Sequence, residues 1–121
     1  LEFVEHIRGI EFSSEKMQIL YITTDSRAEA VHLASKMVEQ GLAACANILP
    51  RMHSVFYWEG QVQQAEEVVL LLKTSNAQAD TCQQAVAQMH SYDTPCILQI
   101  PIDKGHPEFL AWVDAETQSP R

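Results

Sequence analysis

The sequence predicts an α+β domain in which an antiparallel β-sheet carries helices on one face. Three observations point to it. Hydrophobic spacing switches between a period near 2 and one near 3.6, in the order strand, helix, strand, strand, helix, strand, helix. The 121 residues suffice for one core and not for two independent ones. Hydrophobic residues make up 46% and charged residues 20%, the balance of a folded globule.

The elements follow in chain order. Residues 1–16 mix charge and bulky apolar side chains without a sustained period, and the patterned region opens at Met17. They read as an N-terminal extension, added ahead of a natural start or frayed, with a native packed arm as the alternative. Their lack of a basic start, a long apolar stretch and a small-residue cleavage site argues against a signal peptide. Residues 17–24 (MQILYITT) are β-branched and aromatic and predict a strand. Ser26 and Glu29 have capping-box spacing. Ala30, Leu33, Ala34, Met37 and Val38 then form an apolar stripe that stops at Gly41, so a helix of about 14 residues is expected. Residues 42–50 predict a second strand, which Pro50 ends or bends. Aromatic residues 56–58 lead into Glu59-Gly60, the tight reversal of an extra hairpin. Residues 66–74 (EEVVLLLKT) give the strongest strand signal.

Ser75 and Gln78 repeat the capping spacing, and Ala79, Cys82, Val86 and Met89 recur at helical intervals. The helix should fade near His90, because Thr94 precedes a proline. Residues 95–102 predict the last strand, with Cys96, Leu98, Ile100 and Ile102 on one face. Pro107 suits the first turn of a short closing helix with Phe109, Leu110 and Val113 on its apolar side. The tail 116–121 should fray. One domain over 17–115 results, a split βαβ of ferredoxin-like βαββαβ type.

Helices on one side cover only one face of such a sheet, so its strands should alternate apolar and polar residues. Here Val68, Val69, Leu70, Leu71 and Leu72 are consecutive, and residues 43–46 are small and apolar on both faces. Both faces are core-like, and a closed homo-oligomer is the expected cover for the second. The last helix or the N-terminal arm is the alternative cover.

Composition excludes several classes. Eight Lys+Arg against sixteen Asp+Glu give a net charge of −8. That disfavours nucleic acid, anionic membranes and RNA binding on the sheet, and favours cations. No apolar run reaches the ~18–20 residues of a membrane span. Cys45, Cys82 and Cys96 form no CxxC pair, so free thiols in a reducing, cytoplasmic setting are expected. No phosphate-cradling glycine loop, G-x-S-x-G elbow or H-E-x-x-H motif occurs. An acylphosphatase-like hydrolase would share the topology, and Arg27 and Asn47 are present for it, but its glycine-rich loop is missing.

Four stretches carry a family resemblance: 41–48 (GLAACANI), 54–60 (SVFYWEG), Glu67 through Lys73-Thr74, and 90–95 (HSYDTP) with the later Ile100-Pro101-Ile102, Gly105 and Trp112. In order and spacing they resemble the CutA family of divalent-cation tolerance proteins over about 17–115. The resemblance implies a homotrimer of ferredoxin-like subunits, related in fold to PII signalling proteins, with no agreed enzymatic reaction. Copper or another divalent cation is the partner it suggests. The family's H-P-Y-E reads H-S-Y-D here. Asp93 therefore has a shorter carboxylate, and Ser91 in place of proline should loosen the turn.

Candidate metal ligands are Cys45, a soft thiolate donor, His90, Asp93 and Cys96. Each has a plainer reading. Cys45 is then a small packed hydrophobe, His90 a cap on a helix end and Asp93 a turn former. Glu67 and Lys73 share a strand face and, with Trp58 and Tyr92, form a candidate ligand cleft between subunits. An ion pair and interface packing are the plainer readings of these. Cys82 reads as core, and His6, His32, His53 and His106 as surface residues. The two functional readings are a non-enzymatic trimer that binds divalent or soft metal ions, and a PII-like signalling or scaffold trimer that binds a small metabolite.

Overall fold

A computed structural model describes residues 16–118 and 121. The readings of residues 1–15, including His6 and the packed arm, lie outside the described residues. The elements are β1 (Met17–Thr24), α1 (Arg27–Glu39), β2 (Cys45–Trp58), β3 (Gln61–Ser75), α2 (Asn76–Met89), β4 (Ile97–Pro101) and α3 (Pro107–Glu116). The strands form one antiparallel sheet in the order β2-β3-β1-β4. This is the expected α+β, ferredoxin-like arrangement.

Helix punctuation follows the sequence closely. The Ser26 hydroxyl accepts from the Glu29 N–H at 3.1 Å and caps α1. The Glu29 carboxylate reaches one residue further back and accepts from the Asp25 N–H. Gly41, at φ 74°, supplies the left-handed step after the helix. The next two N–H groups, of Leu42 and Ala43, both bond to the Met37 carbonyl, so residues 42 and 43 finish the helix, Ala44 already donates to the Lys73 carbonyl, and β2 begins at Cys45. At α2 the Ser75 hydroxyl makes no capping bond. Ser75 still belongs to β3, paired with Met17 and buried. At α3, Pro107 occupies the first turn, and the His106 ring nitrogen accepts from the Glu108 N–H. His106 is therefore a helix cap as well as a surface residue.

Pro50 does not end β2. The strand continues to Trp58 through a β-bulge between Leu49 and Met52. There Arg51 sits at φ 61°, a left-handed conformation that costs a non-glycine residue about 1–2 kcal/mol. The extra hairpin is thus the outer half of one long β2–β3 ribbon. Its turn is the two-residue Glu59-Gly60 step, with φ 52° and 77°, which matches the twist of the strands it joins.

The sheet has two unequal sides. Leu20, Ile22, Leu70 and Leu72 point toward the helices and pack with Leu33, Met37, Cys82 and Val86. On the opposite side, among the described residues, α3 covers one end only, where Val113 and Leu110 close over Met17, Ile19, Ala44 and Ile102. The rest of that side keeps Leu49, Leu98 and Ile100 exposed by 52%, 55% and 43%. The last helix therefore supplies part of the cover that the consecutive apolar run 68–72 calls for, and not all of it.

Candidate functional site

The side chains that carry chemistry fall at two separate places on the open side of the sheet. Cys45 pairs with Lys73, and Lys73 with Ile19. This row lies at the end covered by α3, where the Lys73 ammonium stands 5.5 Å from the Phe109 ring centroid. Cys96 lies beside Thr23, whose N–H donates to the Cys96 carbonyl. Thr23 is four residues further along β1 than Ile19, and β4 and β2 are opposite edges of the sheet. Cys45 and Cys96 are therefore on the order of 20 Å apart, from strand rise and spacing. One ion cannot bind both within a chain.

The 90–96 segment is held by a polar network. The His90 side chain is fully buried. Its Nε2 lies 2.8 Å from the Thr23 carbonyl, which only a protonated Nε2 can satisfy. Its Nδ1 accepts from the Tyr92 N–H at 3.1 Å. Both ring nitrogens are thereby used, in a tautomer assigned from these partners. His90 thereby bridges β1 and the loop, with both ring nitrogens engaged inside the chain. The ring lies 4.8 Å from that of Tyr92, tilted by 54°.

Glu29 and Ser91 complete the network. The Glu29 carboxylate accepts from the Ser91 N–H at 2.8 Å and from the Ser91 hydroxyl at 3.0 Å. A proline at 91 could donate neither bond, so this departure from the family pattern fastens the turn that it was expected to loosen. Tyr92 reaches across the open side and donates its hydroxyl to Glu67 at 2.9 Å. Asp93 is exposed beside this network, and among the described residues no hydrogen bond or ion pair ties it down.

The candidate metal ligands Cys45, His90, Asp93 and Cys96 do not come together within one chain. Among the described residues no three His, Cys, Asp or Glu side chains come close enough to hold a metal ion. The cleft reading splits in the same way. Glu67 and Lys73 do share a face, but six residues of strand separate them by about 20 Å. Trp58 lies at the tip of the ribbon, 54% exposed, and a similar length of strand separates it from the row of Glu67. Only Glu67 and Tyr92 meet within the chain. Sequence reasoning placed Glu29 only in a helix cap and missed Thr23. No local pattern could show either contact, because their partners lie 62 and 67 residues away.

The titrations follow the environment. Burial alone would raise the Glu29 carboxyl, but the Ser91 N–H and hydroxyl, the Asp25 N–H and the nearby His90 bring it below its ordinary value of 4.5. Burial raises the Tyr92 hydroxyl above the usual range, and its bond to Glu67 and the surrounding carboxylates add to this. Tyr92 thus remains a donor at neutral pH. Burial raises the Cys45 thiol, with Lys73 opposing, and pushes the core thiol of Cys82 up to about 12. A metal at Cys45 must therefore displace a proton that is held more tightly than in a free thiol.

Because Glu29 titrates lower in the folded chain than in the unfolded one, it stabilises the fold above pH 4.5. That contribution is lost as the pH falls through the lowered folded value. Glu29→Gln is expected to cost about 1.5–3 kcal/mol near pH 7, the range for bonds to a charged acceptor. The difference from the wild type should shrink below pH 4.5. Urea unfolding at several pH values checks both statements. A difference that stays constant across the acid range would contradict them.

Comparison with known proteins places this geometry. Residues 18–116 match the family described as "CutA1 divalent ion tolerance protein". A divalent-cation tolerance protein CutA from Archaeoglobus fulgidus is 44% identical over 95 residues, 78% of this chain and 92% of the relative. The chloroplastic protein CutA 1 of Oryza sativa is 34% identical, and the chain spans 56% of its length. Among solved structures, that of the periplasmic divalent cation tolerance protein CutA from Archaeoglobus fulgidus aligns with a TM-score of 0.81 at 41% identity, covering 84% of this chain and 99% of that one. The CutA1 structure from Oryza sativa aligns at 0.82 with 33% identity, covering 85% and 94%. With a family match over most of its length and a relative this similar, the chain belongs to the CutA1 divalent ion tolerance protein family.

Proposed function

We propose that the protein is a non-enzymatic, self-associating member of its family that serves divalent-cation tolerance, as a homotrimer whose open sheet faces cover one another. The observation that carries this reading is family membership combined with a sheet side left bare at Leu49, Leu98 and Ile100. Apolar area on that scale favours association at roughly 25 cal/mol per Å². The relatives' names supply cation tolerance, with copper as the proposed ion. A cytoplasmic site of action is supported by the three free thiols, Cys45, Cys82 and Cys96.

Since the candidate donors do not converge within a chain, ion binding is assigned to sites completed between copies. Cys45 is the soft donor at one end of the sheet, and Asp93 and Cys96 are the donors at the other. Calorimetric titration with copper under reducing conditions tests this. Cys45→Ser is expected to weaken binding at least tenfold while the fold is retained, and equal affinity would remove Cys45 from the assignment. The PII-like reading makes the opposite forecast. A metabolite and no metal would then raise the melting temperature.

A further inference from the structure

One residue of β1 ties down both ends of the loop 90–96. The Thr23 carbonyl accepts from His90 Nε2 at 2.8 Å, and the Thr23 N–H donates to the Cys96 carbonyl at 3.3 Å. Between these ends two consecutive residues are held from other elements. Ser91 gives its N–H and its hydroxyl to Glu29 on α1, and Tyr92 gives its hydroxyl to Glu67 on β3. Residues 93–95 remain as the tip of the loop. Among the described residues no hydrogen bond holds Asp93 or Thr94. The direction of the Asp93 carboxylate is therefore set by what is done to Ser91 and Tyr92.

Glu29 is fixed independently of the loop. Its N–H donates to the Ser26 hydroxyl, and its carboxylate also accepts from the Asp25 N–H, both at the start of α1. Its side chain is only 15% exposed. Bonds to an ionised and largely buried acceptor are of the stronger kind. The backbone shows what this clasp replaces. His90 has φ −70° and ψ 144°, the extended geometry that a proline imposes on the residue before it. A proline at 91 would thus agree with His90 and fix the next φ covalently. Ser91 carries no such restraint, and Glu29 supplies one through space.

We infer, on the reading of Asp93 as a cation donor, that Glu29 is a positioning residue for the ion site at this end of the sheet. By clasping Ser91 it fixes the point from which Asp93 is presented. The test uses the intact protein carrying Cys45→Ser, so that only the Asp93 and Cys96 end is read. Calorimetry with zinc, a redox-inert ion that takes thiolate and carboxylate alike, reads the site. Amide hydrogen exchange at Tyr92 reads the loop with no ion present. Glu29→Ala should lose about threefold or more in zinc affinity, because a loosened loop must be ordered on binding. It should speed Tyr92 exchange by about tenfold or more. Glu29→Ala/Ser91→Pro should restore both to near the parent. Its melting temperature should stay below the parent's, because proline does not replace the bond between Glu29 and the Asp25 N–H. A carboxylate that only stabilised the fold would leave zinc affinity impaired in the double variant, and that result would overturn the inference. So would parental zinc affinity in Glu29→Ala when Asp93→Asn weakens binding. Parental affinity in Asp93→Asn would instead remove the donor reading itself, and the inference with it.

Discussion

A Leu49→Lys/Leu98→Lys variant is expected to remain folded and monomeric at micromolar concentration, and the wild type to associate as the proposed trimer. Leu49 of β2 pairs with Val69 of β3, and Leu98 of β4 pairs with Tyr21 of β1. Both lie on the open side, away from the core that packs under α1 and α2. They are 52% and 55% exposed, so a lysine at either position costs the single chain little. Burial of each leucine in an assembly is worth about 1.5–3 kcal/mol at most, and the substitution adds a charge to be desolvated. Together these losses correspond to roughly a hundredfold weaker association per contact. Light scattering reads the mass and far-ultraviolet circular dichroism reads the fold. A wild type that stays monomeric at micromolar concentration would remove the proposed assembly, and with it the ion sites between copies.

The second large effect is expected at His90. Truncation to alanine leaves the Thr23 carbonyl and the Tyr92 N–H without their ring partners, in a place where the side chain is fully buried. Each orphaned group costs about 1–3 kcal/mol, and the space left by the ring adds to that. The two groups alone come to about 2–6 kcal/mol, which lowers the melting temperature by roughly 8–25 °C in a domain of this size. His90→Phe fills the space without satisfying either group, so it separates packing from hydrogen bonding. It should recover less than half of the loss. Wild-type melting in His90→Ala would show that the ring is not a structural bridge.

How much of this was legible depended on the range of each interaction. Ser26, Gly41 and Pro107 act on their own neighbours, and the helix boundaries they predict are those observed. The run 68–72 predicted two apolar sides, because side chains alternate along a strand whatever the strand packs against. Pro50 was ambiguous for the opposite reason. A proline ends a strand or bends it according to what the partner strand does, and β3 continues straight past it. Ser75 has the spacing of a cap but is already committed to pairing with Met17. The candidate ligands failed to converge within one chain because spacing along the sequence does not say which sheet edge a strand will occupy. Cys45 and Cys96 went to opposite edges.

The outer ribbon carries a consequence for how the molecule reaches its final form. Among the described residues, β2 and β3 beyond the bulge pair only with each other, and Val55, Tyr57, Trp58 and Val62 are each more than half exposed. Two strands alone are marginal in water. In the proposed trimer the arm takes its rigidity from neighbouring copies, and its completion would then be an encounter-limited step whose rate rises with protein concentration.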